Sequence, residues 1–402
     1  MHNIEKKGMR FVSIAVDESI AWGIRIERNG LFQLDLVSGE CELITLFPDE
    51  GDYYKYGENA ICYKYKSCIF CFPRKGEQIW VYDLSNKQLS AIPMECSKNT
   101  DIVITIVAEE ANKLFAVAAG LNKILEIDIE EKKLVGSFDI IQDKDLIQTS
   151  NSGVVVGQKL YFVIANKNKV CEFNLVTKDT YLYSITKEDA GINTICYDGN
   201  DFWLSGKTKE IFRWDKSKNK TYVFADFPQD FGKYQIDESG NFFISHEQVY
   251  DRPIFYDCVC MRNTIWFIPL YANQIIYIDK DTCKLSSFFI KEEEENKSTW
   301  LRKLNLKYRL IYTQKNRYIV LYSYKYERYL KIDTMELTIE YMDMQVSEKN
   351  RSVFANYILK TQNIVYEDEA EILLSDLVKS SIHGSRVENS ADNGKKIYQF
   401  TS

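Results

Sequence analysis

Ile79-Trp80-Val81-Tyr82-Asp83 runs into the polar turn Leu84-Ser85-Asn86-Lys87, and segments of the same make return six more times along the chain. Each is an apolar pair, one variable residue, one more apolar residue, and then Asp or Asn. The others are Leu31-Phe32-Gln33-Leu34-Asp35, Ile124-Leu125-Glu126-Ile127-Asp128, Val170-Cys171-Glu172-Phe173-Asn174, Ile211-Phe212-Arg213-Trp214-Asp215, Ile275-Ile276-Tyr277-Ile278-Asp279 and Tyr329-Leu330-Lys331-Ile332-Asp333. Thirteen residues ahead of each closing Asp or Asn stands another bulky apolar residue: Trp22, Phe70, Phe115, Tyr161, Phe202, Trp266 and Val320. Successive closing residues are 48, 45, 46, 41, 64 and 54 positions apart. A period of about 40–50 residues with this content reads as stacked four-stranded sheets around one axis. The last two intervals carry insertions.

Within the second unit four strands are predicted, over 60–65, 68–72, 78–84 and 89–93. They are short, rich in aromatic and β-branched residues, and bounded by polar turns. A helical reading fails, because no apolar stretch in the repeats keeps a three-to-four spacing beyond about one turn. The repeated Asp ends a third strand, where its carboxylate can accept a backbone N–H two residues on and start a turn. A ring of metal-binding carboxylates is the weaker reading, since Asn174 serves equally. The bulky upstream residues are expected between neighbouring sheets. The variable positions (Gln33, Val81, Glu126, Glu172, Arg213, Tyr277, Lys331) are mostly polar, and strand alternation predicts that they reach a solvated rim.

The 402 residues carry a net charge of −7, with 45% hydrophobic and 14% aromatic residues. That balance supplies a core and lacks the basic footprint of a general nucleic-acid binder. No apolar run is long enough for a membrane span, and residues 1–16 lack the apolar stretch of a signal peptide. Cytoplasmic placement is the expectation, with the ten cysteines kept as thiols. Cys68 and Cys71 form a C-x-x-C spacing, but three residues apart on a strand they face opposite ways, so a structural role is expected. Cys258 and Cys260 share a face without a further ligand beside them. The three histidines, His2, His246 and His383, are scattered, and zinc spacings, nucleotide loops and nucleophile elbows are absent. No cofactor and no metal are expected.

Two connections are long, at about 229–255 and about 291–307. Long connections in compact domains are often functional. The repeats occupy 11–348, after a tail of ten residues. In the extension 349–402, residues 367–382 place Ile372, Leu373, Leu374, Leu377 and Val378 on one stripe, which predicts a helix stopped at Gly384.

Val81-Tyr82-Asp83-Leu84-Ser85-Asn86 resembles the third strand and turn of β-propeller repeats, loosely of the Kelch and YVTN-like types. Kelch double glycines, the Gly-His of WD40 repeats and the sialidase Asp-box are missing, so no family's functional residues carry over. The resemblance and the period together predict an all-β, seven-bladed propeller of four-stranded antiparallel blades, with a short C-terminal helix and tail. The function expected is a non-catalytic scaffold that recognises a protein or peptide through one face. Turns linking second to third strands are basic, and they share that face with the acidic inter-blade connections. Candidate contacts there are Arg74, Lys167, Lys207, Tyr234, His246, Tyr271, Tyr324 and Tyr326. The alternative is a glycan-cleaving propeller enzyme with paired carboxylates at the axis, drawn from Asp17, Asp101, Asp198, Asp237 and Asp257.

Overall fold

Seven antiparallel four-stranded sheets follow one another in chain order, over residues 11–46, 61–93, 104–139, 149–184, 194–224, 255–288 and 308–342. These are blades 1 to 7 of a β-propeller. In each, strands pair in sequence order, from an inner strand at the axis to an outer strand at the circumference. The computed structural model describes residues 11–25, 30–48, 61–73, 78–94, 102–141, 147–186, 190–229, 231, 253–269, 274–290, 308–323, 328–342 and 344–346. The chain divides into two compact units, Lys7–Gln345 and Met1–Lys6 with Val346–Ser402. The expected helix over 367–382 lies outside the described residues. One face of the propeller carries the inter-blade connections and the second turn of each blade. The opposite face carries the first and third turns, which close hairpins.

The second blade shows how closely local pattern sets the strands. They run Ile61–Tyr65, Cys68–Phe72, Gln78–Asp83 and Gln88–Pro93. Each signature Asp or Asn opens a turn by accepting backbone N–H groups: Asp35 from Val37 and Ser38, Asp83 from Ser85, and Asp128 from Glu131. Asn174, Asp215, Asp279 and Asp333 do the same. The fifth residue of every such turn has a left-handed backbone, φ between 48° and 77°, although only Gly39 among the seven is glycine. The side-chain cap holds a turn whose last position is strained for Lys87, Lys132, Lys178, Cys283 and Leu337. In Asp35 and Asp279 these N–H donors hold the carboxyl below its ordinary range.

The core lies between blades. Trp22, Phe70, Phe115, Tyr161 and Trp266 are each buried in a cluster shared with the following blade. Blade 5 departs from the thirteen-residue rule. There Trp203, not Phe202, stands opposite the variable Arg213 and packs toward blade 6, while Phe202 packs back on blade 4. A hairpin one residue shorter flips the face, because strand side chains alternate.

The solvated rim expected for the variable positions is corrected by the structure. Val81, Glu126 and Glu172 are buried, and Gln33, Arg213, Tyr277 and Lys331 are half-buried. A blade is covered on both faces by its neighbours, so alternation exchanges one neighbour for the other, and these positions are at most half-exposed. The charges are met locally. Glu172 is held by Lys159 Nζ at 2.5 Å, by Lys216 Nζ of blade 5 at 2.6 Å, and by Tyr183 Oη at 2.9 Å. Lys216 also lies 5.3 Å from the ring centres of both Tyr161 and Tyr183. Glu126 repeats the device one blade earlier with Lys113 at 2.5 Å and Lys178 of blade 4 at 3.5 Å, the latter 4.0 Å from the Phe115 ring centre. Opposite Glu126 stands Gly136, where a Cβ would come 3.0 Å from the carboxylate.

Blades 7 and 1 meet through Phe11, whose buried backbone N–H donates to Tyr329 Oη at 3.0 Å. Gln345 then opens a short fifth strand at the outer edge of the first sheet. Phe11 and Tyr329 are both buried. Tyr329→Phe removes the acceptor and leaves an amide dry and unpaired, which costs about 1–3 kcal/mol. Chemical denaturation of the variant measures it. A change below about 0.5 kcal/mol would mean that water reaches this amide.

Candidate functional site at the propeller axis

An inner strand has one edge without a partner strand, and its amides must be satisfied some other way. Here the preceding blade supplies side-chain acceptors. Ser13 Oγ accepts the Cys62 N–H at 3.3 Å, and Ser152 Oγ accepts the Ile195 N–H at 3.0 Å while donating to the Ile195 carbonyl at 2.7 Å. Thr105 and Thr149 join hydroxyls at 2.7 Å across blades 3 and 4. In five blades the inner strand bulges near the connection face, at 11–13, 104–106, 149–153, 255–257 and 310–312. Bulges re-aim side chains, and here they do so around the axis. The inner strands of blades 4 and 6 come within 8 Å of each other past the four-residue inner strand of blade 5, which narrows the axis on that side.

Between blades 6 and 7 the nearest group of this kind is a carboxylate. Asp257, just past the bulge of Phe255–Met261, is influenced by the Leu310 amide and by Arg309 of blade 7. It is half-buried. Desolvation raises its pKa to about 6, against the opposing charge of Arg309 and the Leu310 amide. The Arg309 guanidinium carbon lies 6.0 Å from the ring centre of Tyr256, the bulged residue before Asp257.

Both long connections are rooted beside this carboxylate. The first leaves and returns through one aromatic and aliphatic cluster, in which Phe231, Ile254 and Phe255 are buried. Phe227, Phe231 and Phe255 stack, with ring centres 4.7 Å and 5.8 Å apart, and Lys209 Nζ donates to the Phe231 carbonyl at 2.7 Å. The second leaves after Ile290 and returns at Tyr308, both in the cluster between blades 6 and 7. Asp257 and Arg309 thus follow the two insertions directly, on the connection face.

Of the face residues singled out from sequence, Lys167 and Lys207 are described, and both lie on second turns of this face. Lys167 ends the 3-10 turn Ala165–Lys167 of blade 4. Lys207, in blade 5, donates its N–H to the Ala190 carbonyl at 3.0 Å and runs its side chain beside Gly191. Arg74, Tyr234, His246, Tyr271, Tyr324 and Tyr326 lie outside the described residues, as do Asp101 and Asp237. Sequence reasoning missed the asparagines of these turns. Asn168 accepts the Ile192 N–H at 3.0 Å and Asn122 donates to the Ile141 carbonyl at 2.8 Å, so each turn fastens the connection leading to the next blade.

The described carboxylates do not converge. Asp17 pairs with Lys64 at 2.9 Å, at the end of the first inner strand. Asp198 organises a first turn, accepting the Asn200 and Asp201 N–H groups and Trp203 Nε1. Both belong to the hairpin face, opposite Asp257. Among the described residues no group of three or more His, Cys, Asp or Glu could hold a metal. Nine cysteines are free thiols. Cys68 and Cys71 diverge as their spacing predicts: Cys71 stands opposite Cys62 in the pairing with the inner strand and touches it. Among the described residues no helix is long and apolar enough to cross a membrane.

No protein-family model matches the sequence, and no curated protein matches it. Solved structures do match. A streptogramin B lyase is 13% identical over 81% of this chain and 93% of its own, with a TM-score of 0.55. A catalytically inactive variant of virginiamycin B lyase from Staphylococcus aureus, holding quinupristin, is 11% identical over 82% of this chain and 96% of its own, with a TM-score of 0.55. BamB from Moraxella catarrhalis is 10% identical over 78% and 82%, with a TM-score of 0.50. At these identities the likeness is one of fold, the β-propeller.

Proposed function

We propose that this propeller is a non-catalytic scaffold of the cytoplasm that holds a protein or peptide on its connection face, at blades 6 and 7. The observation that carries this reading is the rooting of both long insertions beside Asp257 and Arg309, where the ring also presents Tyr256. A rigid disc with its longest loops gathered at one sector is a recognition surface. Glycan cleavage needs two carboxyls about 5–10 Å apart. Of the carboxyls singled out for that reading, Asp17 and Asp198 serve the other face from Asp257.

The test is a shortened insertion. Phe231 and Ile254 are core residues, so the cut must spare them: residues 233–252 are replaced by a short Gly-Ser linker. Affinity capture with cross-linking should then lose the partner, by at least about tenfold in recovery, while the melting temperature holds. An unchanged set of cross-linked partners at unchanged stability would refute the placement.

A further inference from the structure

Cys62 and Cys71 stand directly opposite each other in the first hairpin of blade 2, and the register sets their separation. A two-residue turn, Lys66-Ser67, joins the strands, so the flanking pair Tyr65 and Cys68 exchanges backbone hydrogen bonds. Pairing then alternates without a bulge. Lys64 with Ile69 lacks these bonds, Tyr63 with Phe70 has them, and Cys62 with Cys71 lacks them. The Cys62 N–H agrees with this register: it turns away from the hairpin partner and donates to Ser13 of blade 1 at 3.3 Å. Pairs without hydrogen bonds hold their Cα atoms about 4.5 Å apart, with both side chains on one face. That separation lies inside the span a disulfide bridges, about 4.4–6.8 Å. The two thiols also touch. Among the described residues no other cysteine has a cysteine opposite it: Cys41 faces Leu34, Cys171 faces Phe162 and Leu182, and Cys196 faces Trp203. Cys196 and Cys258 meet across blades 5 and 6, but no strand pairing fixes the distance between them.

We infer that Cys62 and Cys71 are a modification site, a dithiol that a small peroxide closes reversibly to a disulfide. This goes beyond the scaffold reading and does not rest on it. One thiol attacks the peroxide: an S–O bond forms, the O–O bond breaks, and water leaves with the thiol proton, giving a sulfenic acid. The second sulfur then attacks the first: the S–S bond forms, the S–O bond breaks, and a second water leaves. Two electrons pass from the two sulfurs to one peroxide molecule. Both side chains are buried, at 5% and 2% exposure, which keeps out a bulky disulfide such as oxidised glutathione. They nevertheless sit one register step from the last pair of the hairpin, Ile61 with Phe72, at the connection face. The bond would staple the two inner strands of blade 2 beside the Ser13 cap, in the cluster shared with blade 1.

The test uses the full folded chain and hydrogen peroxide. After treatment the protein is unfolded in an alkylating agent, and the digest is mapped without reductant. Two thiols per chain should be lost, and most molecules should carry Cys62 linked to Cys71, the linked peptides lighter by two hydrogen atoms. Dithiothreitol should return both thiols and the original melting temperature. Recovery of Cys62 and Cys71 as alkylated thiols overturns the inference, whether or not other cysteines have been oxidised. A bond from either of them to a third cysteine, or their conversion to sulfinic acids, overturns it as well.

Discussion

Glu172→Ala should lower the stability of the propeller by about 3 kcal/mol at pH 7, as measured by chemical denaturation. The carboxylate is almost entirely buried between blades 4 and 5 and takes hydrogen bonds from Lys159, Lys216 and Tyr183. Burial alone would raise its pKa. The three donors outweigh that and hold it at about 2, against an ordinary 4.5. A depressed folded pKa means that the stabilisation is fully present above pH 4.5 and is lost as pH falls through about 2. Removing the acid also strands the Lys216 ammonium between two tyrosine rings. The double variant Glu172→Leu with Lys216→Met should therefore recover part of the loss, since an apolar pair of similar volume avoids the desolvation of both charges. A loss below about 1 kcal/mol in the single variant would show that water penetrates the groove and screens the pair.

Asp257→Asn should act in the opposite direction and stabilise the protein at pH 7.5 by about 2 kcal/mol. The carboxyl is shifted up, from 3.8 to about 6, by desolvation, which corresponds to at most about 3 kcal/mol of disfavoured charge. Partial solvent contact reduces that figure, and asparagine keeps an oxygen for the Leu310 amide. Because the folded pKa is raised, the native protein binds more protons than the unfolded chain between pH 6 and 3.8. The cost of Asp257 is thus greatest above pH 6 and vanishes below 3.8. Denaturation curves for the two proteins at pH 7.5 and pH 3.5 test this. A destabilising substitution at pH 7.5 would mean that a cation already neutralises the acid.

Much of the fold was legible because its physics is local. The Asp that ends each third strand marks a turn, the apolar residues ahead of it mark the strand, and their period marks the ring. Trp203 was not legible by counting, since one missing residue in the blade 5 hairpin moved the register. Glu126 and Glu172 were misjudged because alternation was read as core against water. In a ring both faces of a blade are interior, and the polar residues between blades find one another: Lys178 and Lys216 come from turns about 50 positions downstream of their partners. Asp257 was singled out only as one of five candidate axial carboxylates of the glycan-cleaving alternative, and Arg309 was not singled out at all. The usable signal was positional, because each follows the end of a long connection. What chain order could not show is that these two ends meet at a single junction.

Six of the seven junctions in the ring form between sheets that are consecutive along the chain. The contact from Phe11 to Tyr329 instead spans 318 residues. Loop closure over such a distance carries a large entropic cost, repaid only once the intervening sheets are in place. On the ribosome, the first sheet therefore waits with one flank wet until the seventh has emerged. That flank is the surface a chaperone would have to guard, and it is where two half-made copies could exchange sheets.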